Sequence, residues 1–198
     1  MTTNKSDTGS DSFRLELLLD LARQKTGIFD LPDEEIVEPL TLLLADLRSE
    51  ARLSAQGMPA MHAHLVDLLA MRMRLRDITR RHPEILDEKI RGPLIILGLS
   101  RTGTTKLQRC LGATGDFQTL PLWRILNPLP LPGDAPGNDS RLALAEQFVA
   151  YIKQAYPRFY AGHPMVASEP DEEALLQELS FASEAACFMT RVPTTSTG

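Results

Sequence analysis

The length, composition and charge of the chain are those of an ordinary globular protein. It has 198 residues, of which 43% are hydrophobic and 24% charged, so it can bury one sizeable core. The formal net charge of −5 argues against a nonspecific nucleic-acid binder. No stretch approaches the roughly 20 apolar residues of a membrane span, and the first residues lack the apolar core of a signal peptide. We therefore expect a cytoplasmic protein without a nucleic-acid partner.

Helices are predicted for the first part of the chain. Apolar residues recur at helical spacing in three stretches, which are 12–27, 38–55 and 60–82. Ser12 is the predicted N-cap of the first helix, and Gly27 is predicted to end it. Residues 1–11 are polar and are predicted to form a disordered tail. Residues 12–90 are thus expected to form a helical N-terminal section.

A strand, a glycine loop and a helix are predicted between Pro93 and Cys110. The apolar run 94–97 is too short for a helix and ends at Gly98, which is typical of a buried parallel strand. The loop that closes with Gly103 then leads into a segment with helical spacing. Since the first N–H groups of a helix lack partners within it, and the helix dipole adds positive charge, this pattern predicts an anion site that suits phosphate.

The spacing of the loop glycines also matches the nucleotide-binding motif G-x-x-x-x-G-K-[ST], with one difference. Thr104 stands where that motif has lysine, and Lys106 comes two positions too late. We find no apolar strand ending in an aspartate that would hold magnesium. A P-loop-type nucleotide-dependent phosphotransferase is therefore the less favoured alternative.

The loop Ser100 to Thr105, S-R-T-G-T-T, resembles the 5′-phosphosulfate loop of sulfotransferases. Three flanking stretches resemble the bacterial sulfotransferase-domain group in order and spacing, and these are 82–86, 123–128 and 163–172. Ser100 replaces the usual proline, and Lys106 the usual apolar residue. The resemblance implies an α/β fold in which a P-loop-like parallel sheet is flanked by helices. Residues 91–189 would form the N-terminal part of that domain, so the sheet would be incomplete here.

The resemblance also implies a reaction. A sulfotransferase moves a sulfuryl group from 3′-phosphoadenosine-5′-phosphosulfate (PAPS) to a hydroxyl or amine, and no metal is obligatory. The residues expected to bind this co-substrate are Arg101, Thr102, Gly103, Thr104 and Thr105. Arg101 occupies the position of the family's basic residue and would stabilise the leaving group through two parallel hydrogen bonds. The acceptor would be a small-molecule, sugar or lipid hydroxyl.

Candidates for the base that takes the acceptor proton lie near the end of the chain. His163 has an ordinary pKa near 6.5 and stands in a predicted loop. Glu169 and Glu172 compete with it, as does Glu173, because some relatives use a carboxylate. The acids are equally well explained as the first turn of a predicted helix, which Ser168 or Glu169 would cap.

The remaining predictions concern packing and the end of the chain. Helices are expected over 141–156 and from about 170 to 189, and Cys110 and Cys187 are expected to be buried free thiols. Residues 190–198 lack an apolar period and are predicted to be a tail. The chain thus resembles a truncated sulfotransferase. A non-catalytic binding protein is a second alternative, and exposed apolar faces would favour a homo-oligomer.

Overall fold

The structure is a computed structural model that describes residues 11–30, 34–99, 102–135, 137–183 and 190. Apart from residues 11 and 190, both predicted tails lie outside the described residues. The chain divides into two compact units. The described residues of Met1–Glu88 and Gln177–Gly198 form the first, and Lys89–Leu176 forms the second. Each unit is described here by itself.

The first unit is built from three helices, as the apolar spacing predicts. A short 3₁₀ turn, Asp11–Phe13, precedes them, and the helices are α1 (Leu15–Thr26), α2 (Glu34–Ser49) and α3 (Gly57–Arg81). Their apolar stripes meet in one core whose most deeply buried large side chains are Phe13, Leu18, Leu40, Leu44, Leu65 and Leu69. A second 3₁₀ turn, Pro83–Asp87, follows α3.

The two predicted caps of α1 have different outcomes. Gly27 adopts a left-handed φ of 70°, and its N–H bonds to the carbonyl of Arg23 at 2.7 Å, so this C-cap is confirmed. The Ser12 N-cap is wrong because Ser12 lies within the 3₁₀ turn and Arg14 precedes the helix. The physical reason is that Phe13 is buried in the core, which ties this turn to the helical unit instead of to α1 alone.

The second unit contains the other helices. They are α4 (Thr104–Gly112), α5 (Leu122–Leu126), α6 (Arg141–Ala155), α7 (Pro157–Gly162) and the single turn α8 (Ala174–Gln177). The prediction of a helix over 141–156 is confirmed. Helix α6 packs against α5 and against α7. Leu122 and Ile125 of α5 and Ala145 of α6 are buried.

The predicted strand over 94–97 is not confirmed. Residues 93–99 have no regular secondary structure, and Leu94 and Leu97 are 57% and 88% exposed. A strand needs a neighbouring strand for its backbone hydrogen bonds, and the described residues form only two isolated antiparallel bridges, Pro121–Pro170 and Ala135–Asn138. A parallel sheet therefore does not form among the described residues.

The chain returns to the first unit after α8. A 3₁₀ turn, Glu178–Ser180, is followed by Phe181, which is 3% exposed and packs in the core of the helical unit. Phe181 has a left-handed φ of 57°, a conformation that ends a helix. The predicted continuous helix from 170 to 189 is therefore wrong over the residues described, and 184–189 lie outside them.

Two further observations concern exposure. Cys110 is a free thiol on the exposed side of α4, so its predicted burial is wrong. Burial was predicted because Cys110 belongs to the apolar pattern of the helix. Among the described residues, however, no other element covers that face of α4. Cys187 lies outside those residues.

Within the part of the chain that is described, no helix is long and apolar enough to cross a membrane.

Candidate functional site

The predicted phosphate loop joins α4 through a left-handed glycine. Gly103 has a φ of 94° and directly precedes Thr104, the first residue of the helix. The first hydrogen bond of the helix runs from the N–H of Leu107 to the carbonyl of Gly103 at 3.0 Å. The N–H groups of Thr104, Thr105 and Lys106 therefore have no acceptor within α4. Three backbone donors lie at the positive end of the helix dipole.

The loop folds tightly against the first turn of α4. A Cβ placed on Gly98 would lie 2.7 Å from Cγ2 of Thr104 and 2.9 Å from Oγ1 of Thr102, so a side chain would clash there. The motif glycine is thus required by close packing. Ser100 and Arg101, between these residues, lie outside the described part of the chain, and the expected role of Arg101 stays a prediction.

Thr102 is used to shape the loop. Its N–H and its hydroxyl both donate to the carbonyl of Leu99, at 3.3 and 2.6 Å. Both groups were expected to face the phosphate. Among the described residues of the loop, the first three N–H groups of α4 and the hydroxyl of Thr104 remain as donors for an anion.

A second segment, residues 163–173, lies against α4. The hydroxyl of Thr105 donates to Oε1 of Glu172 at 2.9 Å, and Nε2 of Gln108 donates to the carbonyl of Asp171 at 3.2 Å. The first contact is in the first turn of α4, and the second is one turn later. The structure therefore brings the predicted loop residue Thr105 and the candidate base Glu172 into direct contact.

Arg109 attaches the same segment to α4 and was missed by the sequence analysis. Its guanidinium pairs with Glu169 at 3.1 Å and donates to the carbonyls of Pro170 and Pro164 at 3.2 and 3.4 Å. Arg109 follows Thr105 by four positions and so shares its helical face. This spacing of four positions could have been recognised in the sequence. The carboxylate of Glu169, a candidate base, is therefore paired with an arginine.

His163 and Asp171 form a pair in this segment. Nε2 of His163 lies 3.1 Å from Oδ1 of Asp171, and the two side chains are 29% and 4% exposed. The hydrogen bond to Asp171 raises the pKa of His163, burial opposes the rise, and the charges of Asp171 and Glu172 add to it. Sequence reasoning treated Asp171 only as a helix-start residue. Its pairing with His163 depends on the turn between them, which no local pattern reveals.

The start of α4 and several titratable side chains lie together in one compact unit. His163, Asp171 and two glutamates, Glu169 and Glu172, lie on the segment packed against that helix. Of the predicted site residues, the structure brings together Thr105, Glu169, Glu172 and His163 around α4, and Arg101 is not among the described residues. No group of three or more metal-binding side chains occurs in the described ranges.

Comparison with solved structures defines the fold. The chain superposes on the crystal structure of sulfotransferase STF9 from Mycobacterium avium with a TM-score of 0.77 at 22% identity, over 93% of this chain and 48% of that one. For sulfotransferase STF1 from Mycobacterium tuberculosis H37Rv the TM-score is 0.68 at 26% identity, over 93% and 51%. The fold is that of a sulfotransferase. The chain spans about half the length of these structures.

Sequence comparison defines the family. Residues 93–197 match the profile of the Sulfotransferase family, and this match covers just over half of the chain. The chain belongs to the Sulfotransferase family. A search of curated proteins gave no match. The family resemblance expected from the loop and its flanking stretches is thereby confirmed.

Proposed function

We propose that this chain binds PAPS and transfers its sulfuryl group to a hydroxyl or amine of an acceptor. The observation that carries the proposal is the tight loop at the open end of α4, where three backbone N–H groups lack helical acceptors. Such a site suits the 5′-phosphate of a nucleotide. Family membership supports transferase chemistry, and the donor and the acceptor class are parts of the proposal.

The residues of the loop fit a phosphate because they allow close approach. Gly98 and Gly103 keep the backbone free of side chains, and Thr104 adds a hydroxyl. Bound PAPS would supply the sulfuryl group and a phosphate leaving group. In the proposal Arg101 donates to the oxygen on which negative charge develops, and it stays protonated throughout. This assignment rests on the family motif.

The proposal extends to the fold and the acceptor. The apolar run 94–97, exposed in this structure, is the segment that would form a strand of the P-loop-like parallel sheet. The acceptor would be a small-molecule, sugar or lipid hydroxyl, and the reaction would take place in the cytoplasm. His163, Glu169 and Glu172 are the candidates to accept its proton.

The test is calorimetric titration of the full chain with 3′-phosphoadenosine 5′-phosphate in the absence of magnesium. We expect binding that Arg101→Ala weakens by at least about tenfold, since a charged hydrogen bond of about 1.5–3 kcal/mol is lost. Arg158→Ala, at an exposed position in α7, is the matched control and should bind normally. Tighter binding of ATP with magnesium would favour the phosphotransferase alternative. Failure to bind either nucleotide would favour a non-catalytic binding protein.

A further inference from the structure

We propose that Asp171 is the positioning residue of the transfer reaction and that it holds His163 so that Nδ1 accepts the proton of the acceptor. This inference rests on the proposed function, since it names the base of that same site. The sequence analysis left the base open among His163, Glu169 and Glu172. The contacts of these three side chains separate them.

The two glutamates are engaged with α4. Glu169 pairs with the guanidinium of Arg109 at 3.1 Å, and Glu172 accepts a hydrogen bond from the hydroxyl of Thr105 at 2.9 Å. In each case a donor on α4 occupies one oxygen of the carboxylate. Their contacts join the segment to the helix. Both glutamates thus hold the segment to α4, whereas His163 pairs with Asp171.

The hydrogen bonds of Asp171 indicate which ring nitrogen of His163 carries the proton. Oδ1 of Asp171 already accepts the backbone N–H of Glu172 at 2.8 Å, so it acts as an acceptor toward Nε2 of His163, 3.1 Å away. Nε2 is therefore the nitrogen that carries hydrogen in the neutral ring. The lone pair is left on Nδ1. The partner of one ring nitrogen thus determines which nitrogen can act as a base.

Burial makes the Asp171 carboxylate effective. Its side chain is 4% exposed, and its Oδ2 makes no hydrogen bond to the described residues, with Nη2 of Arg109 3.9 Å away. A buried negative charge beside Nε2 stabilises the imidazolium that forms when Nδ1 takes a proton. Gln108 of α4 donates a hydrogen bond to the backbone carbonyl of Asp171. This contact holds the pair of His163 and Asp171 against the helix that follows the phosphate loop.

In the proposed step one bond to sulfur forms as another breaks. The acceptor oxygen forms a bond to sulfur while the bond between sulfur and the bridging phosphate oxygen breaks, and both electrons of that bond leave with 3′-phosphoadenosine 5′-phosphate. The acceptor proton moves to Nδ1 of His163. Asp171 keeps its charge, and the imidazolium later releases the proton to water.

The first test is NMR of the ¹⁵N-labelled full chain, with His163→Gln used to assign the ring signals. We expect a hydrogen-bonded proton on Nε2 and a His163 titration above the ordinary value. In Asp171→Asn the acceptor oxygen remains, so the Nε2 proton should persist while the titration falls toward about 6.5. In Asp171→Ala both features should be lost. A bonded proton on Nδ1, or a titration that both variants leave unchanged, would overturn the role of Asp171.

The second test compares nucleotide binding and turnover in the same variants. Transfer from PAPS to a simple primary alcohol, which does not ionise near neutral pH, should rise with pH along the titration of His163, and His163→Gln should lower it by roughly 10²-fold or more. Asp171→Asn should lower the transfer rate at least tenfold and shift the rising part of its pH profile to lower pH. Its affinity for 3′-phosphoadenosine 5′-phosphate should stay within about threefold of that of the wild type. Glu146→Gln, on the exposed face of α6, controls for loss of one charge.

The outcomes separate the two proposals. A wild-type chain that does not bind 3′-phosphoadenosine 5′-phosphate would overturn the proposed function. Normal nucleotide binding with an ordinary His163 titration would overturn only the role of Asp171. If Asp171→Asn weakened nucleotide binding as much as transfer, Asp171 would be a structural residue of the loop. No transfer by wild type at any pH would count against both proposals.

Discussion

The hydroxyl of Thr105, in the first turn of α4, donates to the Glu172 carboxylate at 2.9 Å. This contact places an exposed negative charge beside the proposed phosphate site. Glu172→Gln should therefore tighten binding of 3′-phosphoadenosine 5′-phosphate by roughly 2- to 5-fold at low ionic strength, as expected for removal of one exposed repulsive charge. The gain should shrink at high salt because the repulsion is screened. Calorimetry at two salt concentrations measures both effects, with Glu146→Gln as control. Weaker binding would show that Glu172 supports the loop.

The raised pKa of His163 predicts a pH dependence of stability in the second unit. A histidine whose folded pKa exceeds its unfolded value stabilises the fold fully below about 6.5, and this contribution is lost as pH rises through the folded pKa. The free energy of unfolding should therefore fall above about pH 6.5, and His163→Gln should flatten that fall. Urea unfolding followed by fluorescence of Trp123, the single tryptophan, reports on this unit. Parallel pH profiles in both proteins would contradict the prediction.

Arg141, the first residue of α6, holds the loop between α5 and α6 to that helix. It is 9% exposed, pairs with Asp139 through Nη2 at 2.6 Å and lies over the ring of Trp123 at 4.6 Å. Its Nη1 donates to the carbonyl of Asn127 at 3.2 Å. Arg141→Ala should lower the free energy of unfolding by about 2 kcal/mol, since charged hydrogen bonds to the loop are lost. Arg141→Lys should recover less than half, because lysine lacks the planar fork.

The measurement for Arg141 is urea unfolding followed by far-ultraviolet circular dichroism, because the substitution itself changes the surroundings of Trp123. The hydrogen bond from Arg141 lowers the pKa of Asp139 to about 2, so the pairing should persist in mildly acidic buffer. Arg158→Ala supplies the control for loss of an exposed arginine. Equal stability of Arg141→Ala and this control would show that the loop holds its place without Arg141.

Phe181 gives an unusual prediction for the first unit, because it is buried at a left-handed φ of 57°. Phe181→Ala should destabilise this unit by about 3 kcal/mol through loss of core packing. Phe181→Gly should be less destabilising than alanine by about 1 kcal/mol, since glycine adopts this conformation without strain. Circular dichroism during urea unfolding compares the two variants. A glycine variant less stable than the alanine variant would contradict the assigned backbone conformation.

The helices α1 to α4 and α6 were predictable because their information is local. The spacing of Leu65 and Leu69 defines the buried side of α3, and Gly27 marks the end of α1 through its own backbone freedom. The boundaries were less accurate, with α2 beginning at Glu34 and not at residue 38. The strand predicted for the run 94–97 is not confirmed, and strand formation depends on a distant partner that the sequence of the run does not contain.

The candidate site was predictable in part for the same reason. The loop glycine Gly103 and the hydroxyls after it form a contiguous motif, which named the family. Asp171 could not be recognised, because an acid near a predicted helix start is explained equally well as a capping residue. Only the turn that brings His163 within 3.1 Å of it gives Asp171 a chemical partner.

The return of the chain to the first unit has a consequence for synthesis. Among the described residues, Phe181 lies in a core otherwise formed by residues before 88, yet residues 89–176 separate it from them in the sequence. A ribosome therefore produces α1 to α3 long before the side chain that completes their packing. Until Phe181 emerges, the nascent helical unit exposes an apolar site of the kind that chaperones bind. The packing of α1 to α3 therefore includes a side chain that is synthesised only after residues 89–176.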